Sequence, residues 1–187
     1  MSGLESDTVG GFNAMLARQK EADGQVIVTT VLFSDESLLL HDRIDIRGVE
    51  AMTSRDYQVG GCTALLDAIG LTISKIGNAQ KYTSEEQRAA RVMIVITTDG
   101  LENASRKYTL NQVRRMIERQ KEKFKWEFIF LGANMDAIDT AASFGIRHDR
   151  AATFRADGSG VLTNFACVSE TLSDFCAGKT ISDDWKK

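Results

Sequence analysis

Several residue types and patterns are scarce or missing in this 187-residue sequence, which has no proline, three cysteines and two histidines. Without proline, turns must be made by Gly, Asn, Asp and Ser, and proline-rich linkers are excluded. Cys62, Cys167 and Cys176 lie in no CxxC or His-rich pattern, which argues against a disulfide framework or a zinc site and predicts small core residues. No apolar run is long enough to cross a bilayer, and the first residues lack the pattern of a secretory signal. We therefore expect a cytoplasmic protein with no membrane partner.

An excess of positive charge is also missing. The chain has 23 basic and 26 acidic residues, a net charge of -3, and its densest basic run, RRMIERQKEKFK (114–125), contains Glu118 and Glu122. That run is typical of the solvated face of a helix, so we expect no nucleic-acid partner. With 43% hydrophobic residues, the chain is predicted to form one domain over residues 1–187, with 178–187 as a flexible tail.

Apolar runs alternate with amphipathic segments, which predicts an α/β fold with a mostly parallel sheet and helices on both faces. Residues 25–34 suit a buried strand, 37–46 its antiparallel partner at the sheet edge, and 91–98 a central strand buried on both faces. Two more strands are predicted at 126–133 and 151–154. Helices are predicted at 2–22, 63–77, 109–123, 135–145 and 158–175, the first with an unusual Gly10-Gly11 pair that suggests a close approach by another element.

The third predicted strand ends abruptly on a carboxylate, in the sequence RVMIVITTDGLENAS (91–105). Ligands of open parallel sheets bind beyond the carboxyl ends of the strands, and Asp99 would lie there. Asp99, followed by Gly100, either begins an ordinary turn or provides an oxygen ligand for Mg²⁺. Thr63, which follows a Gly-Gly loop, either caps the next helix or directs its hydroxyl toward the same cation.

Other residues near this edge also have two interpretations. Glu102 and Asn103 are either exposed loop residues or contacts for a partner, and Tyr57 either covers the same rim or packs under the Gly-Gly loop. One alternative is a scaffold remnant that binds no metal, and the other is a small metal-assisted hydrolase or nucleotide-binding enzyme that uses Asp99. It lacks a second acid, a histidine at suitable spacing or a phosphate loop, so we expect no enzymatic activity and assign no catalytic residue.

Three segments, GGCTALLDAIG (60–70), VMIVITTDGLENAS (92–105) and FIFLGANMDAIDTAASFGI (128–146), resemble a von Willebrand factor type A (vWA) domain, especially the single-domain bacterial kind. The resemblance covers nearly the whole chain and implies a three-layer, Rossmann-like fold. It also implies a protein-interaction module with a metal-ion-dependent adhesion site (MIDAS). By this resemblance Thr63 and Asp99 are metal ligands for Mg²⁺, or for Mn²⁺ or Ca²⁺. Tyr57, Gly100, Glu102 and Asn103 would lie where a protein ligand brings an acidic side chain.

The sequence departs from that family at its first motif, Asp-x-Ser-x-Ser, and at the central strand that carries it. Met1 stands about where the residue after the motif would be, and Ser2 matches neither serine. Without that strand, residues 25–33 and 91–98 would flank a gap with unpaired backbone groups. An internal Met taken as the start is the favoured explanation. The alternatives are direct pairing of the two neighbours, or a strand from elsewhere, by strand donation or homo-oligomerisation. We expect the chain as given to bind divalent metal weakly or not at all.

Overall fold

The computed structural model describes residues 3–22 and 24–186. Met1 and Ser2, which were compared above with the first motif of the resembled family, lie outside the described residues. The helices are α1 (Glu5–Lys20), α2 (Leu65–Tyr82), α3 (Leu110–Phe124), α4 (Ala137–Ser143) and α5 (Gly158–Cys176). The strands are β1 (Ile27–Phe33), β2 (Ser37–Asp45), β3 (Met93–Thr98), β4 (Glu127–Ala133) and β5 (Ala151–Phe154).

The α/β class and the positions of all five predicted strands are confirmed, but the strands form two sheets where the sequence predicts one. In the first, β1 pairs with β2 in an antiparallel hairpin. In the second, β3, β4 and β5 are parallel and lie in that order. Among the described residues no ladder joins β1 to β3, so the alternative in which these two strands pair directly is wrong.

The strands differ in how far their residues are buried, and the difference follows the number of neighbouring strands. From Phe128 to Ala133, β4 is buried at every residue, because it has a neighbour on each edge. In β3 only Ile96 and Thr98 are buried, and β1 has no buried residue. The prediction that β3 is a central strand buried on both faces is therefore wrong in this structure. Its composition suits that position, but within residues 3–22 and 24–186 one of its two edges has no neighbouring strand.

Both sheets nevertheless pack against the same two helices, α1 and α2. On one face, Phe33 of β1 and Ile94 of β3 pack against the same apolar cluster as Ile69 and Ile73 of α2. On the other face, α1 contributes to two clusters. Phe12 packs with Val26 and Val28 at β1, and Met15 packs with Met93 and Val95 of β3. Helices α1 and α2 therefore cover the sheets from opposite sides and each reaches both of them.

Several local predictions about helix ends and close approaches are confirmed. Thr109 and Gln112 form the predicted capping box at the start of α3, and Gly145 follows α4 with a φ of 77°. In α1, a Cβ at Gly11 would lie 2.5 Å from Cδ2 of Phe165 in α5, so this glycine allows the close packing of the two helices.

The cysteines and the C-terminal segment differ from the predictions. Cys62 and Cys176 are exposed and Cys167 is half-buried, so they are not core residues as predicted. All three are free thiols. Ile181, in the predicted flexible tail, is buried in the cluster under α5. Trp185 packs against the same cluster and donates from Nε1 to the Asp149 carbonyl at 2.6 Å. The segment has few apolar residues, so its sequence did not indicate that it packs into the core.

Candidate functional site

The candidate site lies where the loops after β1 and β3 meet the start of α2. The Ala64 amide donates to the carbonyl of Ser34, directly after β1, at 2.6 Å. The Thr63 amide donates to Oδ1 of Asn103 at 2.8 Å, and the Asn103 amide returns a bond to the Thr63 carbonyl at 3.1 Å. The segment of Thr63 and Ala64 therefore connects the loop that follows β1 with the loop that follows β3.

The two predicted metal ligands are brought to the same edge. A Cβ at Gly100 would lie 2.6 Å from Oγ1 of Thr63, so the threonine hydroxyl occupies the space that a side chain at position 100 would need. Asp99, the preceding residue, is exposed at the end of β3. The Thr98 hydroxyl donates to the Gly100 carbonyl at 3.0 Å, which holds the turn after the strand.

Thr63 is not the cap of α2. The N-cap position is Ala64, and no side chain of that residue caps the helix. The first helical amides are instead bonded by the loop after β3, since Glu102 accepts from the Leu66 amide at 2.8 Å and Ser105 Oγ from the Asp67 amide at 3.0 Å. This arrangement satisfies amides that helices leave without partners at their first turn, so the Thr63 hydroxyl is not needed to cap α2.

Glu102 lies inside this loop rather than facing outward from its rim. Its carboxylate also accepts bonds from the amides of Ala104 and Ser105 and from the Ser105 hydroxyl, at 3.0, 2.7 and 2.7 Å. Burial alone would raise the pKa of Glu102, but the bonds from the Leu66 and Ser105 amides outweigh it and the pKa is lowered. The contact of Glu102 with a partner stays a prediction, while its carboxylate holds the loop against α2.

Asp67 gives the second part of this support and was not recognised in the sequence. Its buried carboxylate accepts from the amides of Arg106, Lys107 and Tyr108 at 2.8 to 2.9 Å. Burial opposes ionisation, yet these three amide bonds lower the pKa of Asp67. The sequence offered one signal for this role, an aspartate in the first turn of an apolar helix, where the helix dipole stabilises a carboxylate. Its bonding partners could not be read from the sequence, because they lie about forty residues further along the chain.

Two other predicted contact residues, Asn103 and Tyr57, have different surroundings. Asn103 is exposed and bonded to Thr63 as described. Tyr57 is half-buried, and this burial raises the pKa of its phenol. The charge of Glu5 also raises this pKa, so the ring lies near the first turn of α1. Asp35, at the tip of the β1–β2 hairpin, is a further acidic residue at this edge that the sequence analysis missed. Bonds from Ser34 and from nearby backbone amides lower its pKa.

The donor set at the site fits a divalent cation in kind but not in number. Thr63 offers a neutral hydroxyl and Asp99 a carboxylate, both hard oxygen ligands of the type that Mg²⁺ binds. Within residues 3–22 and 24–186, no three His, Cys, Asp or Glu side chains group in a way that could hold a metal. If a cation binds at Thr63 and Asp99, water must provide most of its coordination.

Comparison with family models, with curated proteins and with solved structures gave no match in any of the three searches. None of the helices in the described part of the chain is long and apolar enough to cross a membrane.

Proposed function

We propose that the protein is a vWA-like interaction module whose binding surface lies at the carboxyl ends of β1 and β3, around Thr63 and Asp99. It acts by binding a protein ligand in the cytoplasm, not by catalysis. A divalent cation, Mg²⁺ or a similar ion such as Mn²⁺ or Ca²⁺, would be held weakly by the Thr63 hydroxyl and the Asp99 carboxylate. An acidic side chain of the ligand would add a further oxygen.

The observation that carries the proposal is the position of Thr63. Its hydroxyl lies against Gly100, next to Asp99, although another residue occupies the cap position of α2. Glu102 and Asp67 accept seven hydrogen bonds, of which four join the loop after β3 to the start of α2 and three stay within the loop. An ion site needs such support from its surroundings to keep ligands in position.

Affinity for metal should be low because only one carboxylate is present in the proposed donor pair. Mg²⁺ loses its water shell reluctantly and usually keeps several waters when a protein provides few ligands. A ligand carboxylate would add a second negative charge to the coordination sphere. The proposal therefore expects metal and acidic ligand to strengthen each other's binding, as linkage requires.

Calorimetric titration with MgCl₂, alone and in the presence of a blocked glutamate as the simplest acidic ligand, tests this. We expect weak binding of Mg²⁺ that glutamate strengthens and that both Asp99→Asn and Thr63→Val abolish. Asp139→Asn, an exposed position on α4, is the matched control and should leave the titration unchanged. Equal binding by Asp99→Asn and the unaltered protein would refute the proposed site.

A further inference from the structure

A small cavity lies at the end of the second sheet that is remote from Thr63 and Asp99. It has a volume of about 180 Å³ and lies beside the amino end of β4, between the end of α3 and the segment that connects α4 to β5. Because β3 and β4 are parallel, this is the opposite end of the sheet from Asp99, which follows β3. The function proposed above does not involve this cavity.

The residues around the cavity are mostly basic. Of the described residues that line it, one is acidic, Glu127, and four are cationic, Lys121, Lys125, Arg147 and Arg150. The two lysines lie at the end of α3, where a cation also offsets the helix dipole. The two arginines come from the 3₁₀ turn before β5 and the residue that precedes it. The dipole of α3 therefore does not explain why all four cations meet here.

Asp149 holds the two arginines in position without neutralising the cavity. Its buried carboxylate accepts from Nε and Nη2 of Arg147, each at 2.8 Å, and from Nη1 of Arg150 at 2.7 Å. Burial would raise the pKa of Asp149, but the bonds from Arg147 and the charge of Arg150 outweigh it, and the pKa is lowered. Asp183, 3.7 Å from Arg150, is largely exposed, so water screens its charge. Four cations against the carboxylates of Glu127 and Asp149 leave a formal net charge of +2.

Hydrogen-bond donors at the cavity outnumber the acceptors that the protein provides for them. Lys121 uses one of its three N–H bonds, which it donates to the Gly145 carbonyl at 2.7 Å. Lys125 donates no side-chain bond to any described residue, and Arg147 has no acceptor for Nη1 in the same part of the chain. These three side chains can therefore donate to an acceptor that enters the cavity.

Trp126 provides a further donor, from a side chain that is almost fully buried. Only 4% of the residue is exposed, and it lines the cavity. Its indole Nε1 donates to no described residue, although it is not sealed from solvent as the unpaired Thr8 hydroxyl and Asn164 amide are. Buried polar groups are nearly always hydrogen-bonded. The indole N–H therefore needs an acceptor from within the cavity.

The floor and the volume of the cavity limit the rest of the ligand. Phe128 and Ile146, each 2% exposed, form an apolar floor beside Trp126. Pockets for drug-sized molecules measure about 300–1,000 Å³, whereas a cavity of about 150 Å³ holds a molecule the size of benzene. The cavity therefore fits a ligand with a few carbon atoms and one anionic group.

We propose that this cavity binds a small phosphate monoester, with the phosphate among the two lysines, Nη1 of Arg147 and the indole N–H of Trp126, and the carbon atoms of the ester on the apolar floor. At neutral pH such a phosphate carries close to two negative charges and offers three strong acceptor oxygens. It therefore matches both the net charge of +2 and the surplus of donors. A carboxylate would bring half that charge and fewer acceptors.

Titration with phenyl phosphate, observed by NMR of the ¹⁵N-labelled protein, tests the site. The chain has two tryptophans, so it gives two indole N–H signals, which Trp185→Phe assigns. At about pH 7.5, where the ester is a dianion, we expect the Trp126 signal to move downfield as its N–H donates to the phosphate. A ligand of this size should bind with a dissociation constant of about 1 mM or below. No shift of the Trp126 signal up to about 20 mM ligand would overturn the proposal.

Two further ligands, at the same ionic strength, separate the phosphate from the ring. Benzyl alcohol has a similar ring and no charge, and should leave the Trp126 signal in place. An equal shift with benzyl alcohol would overturn the proposal, because the donors would then contribute nothing. Inorganic phosphate should bind about tenfold more weakly than phenyl phosphate, because it has no carbon atoms to bury on the floor. Equal affinity for the two would overturn the assignment to an ester.

Variants measured by calorimetry with phenyl phosphate test individual donors. Lys125→Gln, at an exposed position, should weaken binding about fivefold to tenfold. Lys123→Gln is the matched control, because Lys123 is also exposed at the end of α3 but does not line the cavity, and should change affinity by less than about twofold. Equal weakening by both would show general attraction to a basic surface and would overturn the site. Trp126→Phe keeps a ring but loses the N–H, and should weaken binding about tenfold, whereas unchanged affinity would refute the role of the indole.

Discussion

Removal of the Glu102 carboxylate tests whether the loop after β3 is held on α2 as the structure shows. In Glu102→Ala, four acceptor bonds are lost, three to backbone amides and one to the Ser105 hydroxyl. Bonds to a charged group contribute about 1.5–3 kcal/mol each, but Glu102 is only partly buried and water replaces several of them. We therefore expect a loss of about 2–3 kcal/mol in the free energy of unfolding, well below the simple sum.

For a chain of this length, that loss corresponds to a fall in Tm of about 4–12 °C, measured by circular dichroism. Glu86→Ala is the matched control, because Glu86 is an exposed glutamate and should change Tm by no more than about 1–2 °C. A Tm for Glu102→Ala equal to that of the control would refute the role given to this carboxylate.

The same carboxylate should make stability depend on pH in the acid range. The pKa of Glu102 is lowered in the folded protein, so its stabilisation is complete above the ordinary carboxylate pKa of about 4.3. As pH falls below that value, the unfolded chain takes up the proton first, and the stabilisation is lost by the time pH passes the lowered folded pKa. Urea unfolding between pH 7 and pH 3 should therefore show a shallower loss of stability in Glu102→Ala than in the unaltered protein, and parallel curves would contradict the lowered pKa.

Two further predictions concern packing. Gly11→Ala should reduce the free energy of unfolding by about 1–3 kcal/mol, because its Cβ would meet Phe165, whereas Gly10→Ala, with open space around it, should increase it by about 0.5–1 kcal/mol. Urea unfolding compares the pair, and equal effects would show that α1 and α5 do not approach closely at Gly11. Trp185→Ala should lower the free energy of unfolding by about 3 kcal/mol if the ring packs and donates to Asp149 as described, and an unchanged urea midpoint would show that the tail is not part of the core.

Secondary structure was predictable from the sequence because periodicity and cap residues are local signals. The Thr109 to Gln112 box and the turn at Gly145 depend on residues within one helical turn, and both were predicted correctly. Strand burial was not predictable in the same way. The apolar sequence of β3 indicates what the strand is suited to, whereas its burial depends on whether a neighbouring strand is present.

Within the candidate site, the resemblance led us to expect Thr63 near Asp99, and the Thr63 hydroxyl does lie against the adjacent Gly100. The roles of Asp67 and Glu102 were not expected, because a carboxylate that accepts backbone amides from a distant loop leaves no spacing pattern in the sequence. The tail was also misjudged, since one isoleucine and one tryptophan among charged residues gave too weak an apolar signal.

Binding of Mn²⁺ observed by NMR is the most direct test of the proposed site at Thr63 and Asp99. Mn²⁺ broadens the signals of nearby amides, and we expect the first losses at residues 61–64 and 99–101, with millimolar concentrations of metal required. In Asp99→Asn these losses should disappear while the rest of the spectrum is retained. Broadening that begins at other acidic residues, or that is the same in Asp99→Asn, would contradict the proposed interaction site.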